Sequence, residues 1–217
     1  MAKIESNLLN MILVLTLITA LVGAILGSVY KITEGPIAAA AAKAQEEAIR
    51  EVAPAFDNNP IAESDTIETN AAPIIVYPAR MQGKWVGAAV KATTPNGFNG
   101  NITVIVGFEA DGTIRQYRVL SHSETPGLGA KMEEWFRGEN DRQSIIGKHP
   151  DKIDFSVSKD GGDIDAITAS TITSRAFLQV VEMAHSAYMQ EPIDALSGSS
   201  QKTNHSDQTP QGEEVTQ

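Results

Sequence analysis

The chain has 217 residues, of which 42% are hydrophobic, and a formal net charge of −10. This acidity argues against nucleic acid as a partner, because contacts with phosphate groups need clustered lysine and arginine. The absence of cysteine excludes disulfides, cysteine-ligated iron–sulfur clusters, haem attachment through cysteine and a thiol nucleophile, so electron transfer would need an organic cofactor or a cysteine-free metal site.

An apolar segment near the N-terminus predicts a membrane-spanning helix. No charged residue occurs from Asn7 to Tyr30, and about 20 apolar residues in an α-helix suffice to cross a bilayer. The apolar region of a cleaved signal peptide is shorter, about 7–15 residues. We therefore expect residues 7–30 to form an uncleaved anchor. The flanking charges are too evenly distributed to fix its orientation.

A helical stalk and a linker are expected to follow the anchor, over residues 31–72. Residues 37–52 are rich in Ala, Lys, Gln and Glu, which favour an α-helix. Gly35-Pro36 is expected to break this helix from the anchor. Residues 57–70 are polar and predict a loop.

Residues 73–192 predict one α+β domain, with a mainly antiparallel sheet and flanking helices. Five segments have the alternating or β-branched composition of strands: Ile74–Tyr77, Lys84–Ala92, Ile102–Phe108, Ile114–Leu120 and Ile153–Ser158. Asp111-Gly112 predicts a hairpin turn between the third and fourth of them.

Two helices are predicted within this domain. Residues 129–137 indicate a short helix, and apolar residues recur at helical spacing from Ala176 to Tyr188, which predicts an amphipathic helix packed on the sheet. Residues 193–217 are polar and predict a disordered tail, because they cannot bury enough apolar surface to fold.

A cluster of hydroxyl side chains lies just before the amphipathic helix, between Asp165 and Ser174. The free N–H groups of a helix start, together with hydroxyls, are typical of an anion site that accepts a phosphate group. The alternative is an ordinary helix cap by Thr173 or Ser174. The cluster has more hydroxyls than a cap needs, which keeps the phosphate site in consideration.

A second candidate site runs from His122 to Lys131, between a strand and a helix. Pro126 stiffens this segment, and Gly127 and Gly129 would let the backbone approach a ligand closely. His122 and Glu124 could form an acid/base or metal-ligating pair, although an ordinary surface pair is more common. No catalytic triad order, P-loop or zinc-ligand spacing occurs elsewhere, so we predict no catalytic residue and no metal site.

Both motifs, behind a single membrane helix, resemble the FMN-binding family that includes the G subunit of the Rnf electron-transport complex. The C subunit of the sodium-translocating NADH:quinone reductase is a relative. The family's attachment signal is Asp, two variable residues, Ser or Thr, Gly, Ala, then Thr or Ser, and it corresponds to Asp165–Thr171. The family's Glu-Thr-Pro-Gly-Leu-Gly is intact at 124–129, and Asn96–Ile102 resembles its Gly-aromatic-x-Gly segment. Ala169 and Ser170 depart from the family's Gly and Ala.

The resemblance implies FMN joined through its phosphate to Thr171 as a phosphoester, installed by a separate flavin transferase. Ser170 and Thr173 stay as further candidate acceptors. The residues that it implies around the cofactor are Thr171, Asp165, Thr168, Ala169, Ser170, Glu124, Thr125, Gly127, Leu128, Gly129 and Lys131.

The resemblance also implies a function. The chain would relay electrons between ferredoxin and NAD, coupled to ion transport, without being catalytic alone, and would pack on other membrane subunits of an Rnf complex. Residues 1–6 would lie in the cytoplasm, the helix in the inner (cytoplasmic) membrane and the domain on its periplasmic or outer side. The alternatives are the same relay in the quinone reductase, or a cofactor-free anchored assembly module whose hydroxyls only cap a helix.

Overall fold

The computed structural model describes residues 8–69 and 72–190, so the predictions for residues 1–6 and 193–217 lie outside the described residues. The α+β class is confirmed: one long apolar helix precedes an antiparallel sheet with flanking helices. The α-helices are α1 (Leu8–Val52), α2 (Met132–Trp135) and α3 (Thr171–Gln190), and the strands are β1 (Asp65–Ile67), β2 (Ile74–Met81), β3 (Lys84–Gly97), β4 (Gly100–Glu109) and β5 (Ile114–His122).

Helix α1 is continuous over 45 residues. Its most apolar window has a mean hydropathy of 2.5 and no buried residue, so it is long and apolar enough to cross a membrane. The predicted break at Gly35-Pro36 is wrong, because Pro36 lies inside the helix. A proline removes one hydrogen bond of a helix, but the Ala-rich run after Pro36 strongly favours the helix, and α1 continues through the proline.

The sheet has the order β1-β2-β3-β4-β5, and each neighbouring pair is antiparallel. Gln82 and Gly83 join β2 to β3 with positive φ angles of 52° and 74°, as a two-residue type I′ turn requires. The predicted hairpin at Asp111-Gly112 is confirmed between β4 and β5. Strand β1 falls in the segment expected to be a loop; it is a three-residue, mostly exposed edge strand, which leaves little apolar pattern.

Helices cover both faces of the sheet. On one face α3 packs over the larger core, in which the rings of Phe136 and Phe177 stack at 4.5 Å. On the other face the C-terminal turns of α1 pack on the sheet through Ala48, Ile49 and Val52. The helix that carries the apolar window is therefore also part of the folded domain.

The close approach of α1 to the sheet depends on Gly107. A Cβ atom at this position would lie 1.9 Å from the carbonyl oxygen of Val52, at the end of α1. Only glycine therefore allows the helix end to rest on β4 at this distance.

The strand predicted at Ile153–Ser158 is wrong. The segment lies between short 3₁₀ helices at Pro150–Lys152 and Ser158–Asp160, and a single parallel bridge joins Val157 to Ile164. Phe155 and Val157 are buried. The alternation of apolar and polar residues therefore arises from a loop that packs against the core, not from a strand of the sheet. This loop brings residues 158–160 against the start of α3.

Candidate functional site

The two predicted motifs meet at a cavity of about 290 Å³ beside the start of α3. A third segment, the β3–β4 hairpin, completes its wall. The lining residues are Phe98 from the hairpin, Glu124, Thr125, Leu128 and Gly129 from the loop after β5, and Ala169, Ser170, Thr171, Ile172 and Thr173 from the start of α3. The fold thus brings together segments that are far apart in the chain.

Glu124 ties these three segments to one another, and it is only 4% exposed. Its Oε1 accepts a hydrogen bond from the backbone N–H of Asn99 at 3.1 Å, and its Oε2 accepts one from the hydroxyl of Thr173 at 2.5 Å. The carboxylate therefore holds the hairpin and α3 together, as a buried acceptor of two hydrogen bonds can.

His122 does not form a side-chain pair with Glu124. Its Nδ1 accepts the backbone N–H of Glu124, and its Nε2 lies 3.1 Å from Oε1 of Glu133, which is exposed. The expected pair of His122 and Glu124 side chains, whether functional or an ordinary surface pair, is therefore replaced by a contact between His122 and Glu133.

The glycines around Glu124 make room for its carboxylate. A Cβ at Gly97 would lie 2.7 Å from Oε1, and a Cβ at Gly129 would lie 2.6 Å from Oε2. Gly129 was expected to give a ligand close access to the backbone, and the structure adds this second requirement. At Gly127 an added Cβ would meet no atom within 4 Å, but the φ angle is +76°, so the backbone of the turn itself requires a glycine.

The hydroxyl cluster divides into engaged and accessible groups. Helix α3 begins at Thr171, so Thr173 and Ser174 lie inside its first turn rather than capping it. The hydroxyl of Ser174 accepts the N–H of Ile167 at 2.9 Å and donates to the carbonyl of Ser170 at 3.0 Å. Thr173 donates to Glu124. Thr171 is half-buried, and its Oγ1 faces the Nζ of Lys159.

Lys159 was missed in the sequence. Its Nζ donates to Oγ1 of Thr171 at 3.0 Å, and it comes from the 3₁₀ turn under the core. The next residue, Asp160, accepts two hydrogen bonds of 2.6 Å from the Arg175 guanidinium, one turn into α3. These hydrogen bonds hold the pKa of Asp160 below its usual range. The turn carrying Lys159 is thus fastened to α3 at two points.

Ala169 has a φ of 61°, in the left-handed region. It occupies the position where the family motif has glycine, the residue that adopts this conformation without steric cost. The structure therefore gives a backbone reason for the family's glycine.

Four of the expected site residues lie outside the cavity lining: Asp165, Thr168, Gly127 and Lys131. Asp165 supports the motif from behind, because its carbonyl accepts the indole N–H of Trp135 at 2.9 Å and its Oδ1 lies 3.4 Å from Nε of Arg142. Thr168 and Lys131 are exposed.

The cavity has an apolar rim and a polar end. Phe98, Leu128 and Ile172 line it and are 63%, 42% and 50% exposed. The polar end carries the Thr171 hydroxyl and the first turn of α3, with the ammonium group of Lys159 beside them. This donor set fits a ligand with a planar apolar ring system at one end and a phosphate at the other.

Comparison with known proteins gives a consistent family. Residues 97–186 match the FMN-binding domain family. Three similar proteins are each named as the G subunit of an ion-translocating oxidoreductase complex. The chain is 36% identical to the Yersinia pestis protein over 179 residues, which cover 78% of this chain and 84% of the relative.

The other two alignments are shorter. Identity is 39% over 127 residues with the Shewanella baltica protein, covering 57% of this chain and 58% of the relative. Identity is 37% over 138 residues with the Vibrio cholerae protein, covering 59% of this chain and 65% of the relative. The chain thus spans less than two thirds of the length of these two relatives.

Proposed function

The chain belongs to the family of G subunits of ion-translocating oxidoreductase complexes, and we propose that it is a membrane-anchored flavoprotein subunit that relays electrons through FMN. The family match to an FMN-binding domain supports the cofactor, and the apolar window of α1 supports the anchor. The observation that carries the proposal is the cavity on which the two family motifs converge, with the Thr171 hydroxyl in its wall.

The attachment in this proposal is a phosphoester between FMN and the oxygen of Thr171. Of the hydroxyls in the cluster, that of Thr171 lines the cavity, is partly accessible and lies beside a cation. A phosphodiester keeps one negative charge, which the N–H groups at a helix start stabilise by about 0.3–1 kcal/mol. The covalent bond, rather than this weak interaction, would hold the cofactor.

The remaining residues would position the flavin. The apolar rim of Phe98, Leu128 and Ile172 offers contacts to the ring system of the flavin. Glu124 holds the hairpin and α3 together next to this rim. When bound, FMN supplies a group that accepts and releases electrons reversibly. A cavity of about 290 Å³ is at the small end for a ligand of this size, so part of the flavin would stay exposed to neighbouring subunits.

The wider role is inferred from the family. We propose that the chain acts within an Rnf complex, between ferredoxin and NAD with coupled ion transport, and packs on its other membrane subunits. The domain would lie on the periplasmic or outer side of the inner membrane, where a flavin transferase would load it. The relatives named above are all G subunits of ion-translocating oxidoreductase complexes, which favours this complex over the quinone reductase.

The decisive test uses the full chain co-produced with a flavin transferase. We expect flavin fluorescence that survives denaturing electrophoresis, and its complete loss in Thr171→Ala. Trypsin releases one peptide, residues 160–175, that contains the whole hydroxyl cluster, and its fragmentation should place the FMN mass on Thr171. Ser170→Ala is the matched control and should stay fluorescent.

Two results would contradict the proposal. A fluorescent Thr171→Ala protein would show that FMN is attached to a different residue. A wild-type chain without added FMN mass would favour a cofactor-free assembly module.

A further inference from the structure

We propose that Lys159 selects Thr171 as the attachment residue and binds the phosphate of the attached flavin. This inference rests on the proposed function. It goes beyond the family motif, because Lys159 lies outside both motifs and comes from the 3₁₀ turn at Ser158–Asp160. Its Nζ donates to Oγ1 of Thr171 at 3.0 Å, so the cation lies where an ester phosphate would begin.

The position of Lys159 is fixed by its neighbours, although the side chain itself is exposed. The N–H of Ser158 donates to the carbonyl of Ile164 at 2.7 Å, and both oxygens of Asp160 bind Arg175 at 2.6 Å. These bonds hold the turn against α3 on either side of Lys159. Little conformational freedom of the backbone is therefore lost when the ammonium group binds a phosphate.

The other hydroxyls of the cluster lack this arrangement. Those of Thr173 and Ser174 are buried and engaged in hydrogen bonds with Glu124 and with the backbone. Thr168 is exposed but lies outside the cavity lining, and Ser170 lines the cavity but is only 8% exposed. Thr171 combines accessibility, cavity position and a neighbouring cation.

The hydrogen bond from Lys159 leaves the Thr171 oxygen able to accept the flavin phosphoryl group. Because the ammonium group donates to the oxygen, the hydroxyl proton points elsewhere and can be removed by the transferase. The oxygen then bonds to the phosphorus of a flavin phosphoanhydride, the bond to the leaving phosphate breaks, and that phosphate departs with its nucleoside. Lys159 would stabilise negative charge on the transferred phosphoryl group during this step and afterwards.

The test measures the rate of FMN attachment by intact mass, using the full chain in detergent with a purified flavin transferase and a flavin dinucleotide. Loss of a charge-assisted hydrogen bond predicts a rate at least roughly tenfold lower in Lys159→Met and Lys159→Gln. Lys159→Arg keeps the charge and should recover most of the rate. Lys152→Met, which removes another exposed lysine of the same loop, should match the wild type.

Salt provides a readout that a purely structural role would not change. The wild-type and Lys159→Arg rates should fall relative to those of the neutral variants as salt rises, since an exposed cation is screened. Equal salt dependence in all variants would contradict the inference.

The possible failures are distinguishable. A wild-type chain that takes up no FMN contradicts the proposed function. Normal attachment in Lys159→Met, or a slow Lys159→Arg with native unfolding behaviour, contradicts the role of Lys159 and leaves Thr171 as the attachment residue.

Discussion

At the scale of single residues, the attachment motif carries a strained backbone. Ala169 adopts a φ of 61°, immediately before the buried Ser170 and the proposed attachment residue. A non-glycine residue in this region costs of order 1 kcal/mol, because its Cβ crowds the backbone. The departure from the family's glycine is thus compatible with the fold but energetically unfavourable.

We therefore predict that Ala169→Gly raises the free energy of unfolding by about 0.5–1 kcal/mol, the relief of strain being partly offset by the entropy of glycine in the unfolded chain. The two tryptophans, Trp85 and Trp135, both lie in the domain, so urea unfolding followed by their fluorescence reports its stability. Ala166→Gly, at a residue without positive φ, should lower the stability. An equal loss of unfolding free energy in both variants would contradict backbone strain at Ala169.

The sequence predicted part of this site. The two motifs gave Glu124, Thr125, Leu128, Gly129 and the start of α3, since each motif is contiguous and has a turn composition that marks it. Lys159 carried no such signal. Its proximity to Thr171 comes from the path of a loop whose alternating pattern indicated a strand. Because that segment was predicted as a strand, the sequence did not indicate that Lys159 lies at the polar end of the cavity.

At the scale of elements, local signals explain which predictions succeeded. The strands of the central hairpins are rich in β-branched residues and are joined by residues that favour turns. Their predicted positions were therefore correct, and the observed strands are only longer than predicted. The Ile153–Ser158 segment has the same period of two, but the backbone N–H groups of Asp154 and Ser158 donate to Asp163 and Ile164 and not to a strand of the sheet. Periodicity reports which side chains are buried, and it does not identify the hydrogen-bond partners of the backbone.

The packing of α1 on the sheet gives a second prediction. Gly107→Ala should lower the free energy of unfolding by about 3 kcal/mol or more, because the new methyl group would meet the backbone of Val52 at 1.9 Å and neither element can move without losing packing. Urea unfolding of the full chain in detergent measures the change. Gly138→Ala is the matched control; its methyl group would meet the flexible Gln143 side chain at 3.1 Å and the carbonyl oxygen of Trp135 at 3.3 Å, so we expect a much smaller loss. Equal stability of the two variants would contradict the tight contact.

At the scale of the whole molecule, one helix links the membrane segment to the folded domain. The apolar window and the turns that pack on the sheet belong to the same α1, which is about 70 Å long at 1.5 Å per residue. A flexible linker would let the domain move relative to its anchor. A continuous helix instead restrains the cavity relative to the membrane segment, which suits the proposed electron relay.

We expect the buried His185 to make the stability of the domain depend on pH. It is 2% exposed, its ring lies edge-on to Phe108 at 5.6 Å, and its Nε2 has no hydrogen-bond partner among the described residues. Burial lowers the pKa of His185 below its ordinary 6.5; the carboxylate of Asp151 opposes this shift and His149 adds to it. The folded state therefore favours the neutral imidazole.

The direction of the pH effect follows from proton binding. As pH falls below 6.5, the unfolded chain takes up a proton at His185 more readily than the folded chain, so the free energy of unfolding decreases until the folded-state pKa is passed. Urea unfolding of wild type and His185→Phe at several pH values between about 5 and 8 isolates this contribution. Glu182, whose pKa is raised by burial, acts in the opposite direction but equally in both proteins. The difference in unfolding free energy between the variant and the wild type should therefore shift in favour of the variant as pH falls, and a difference independent of pH would contradict a neutral, buried His185.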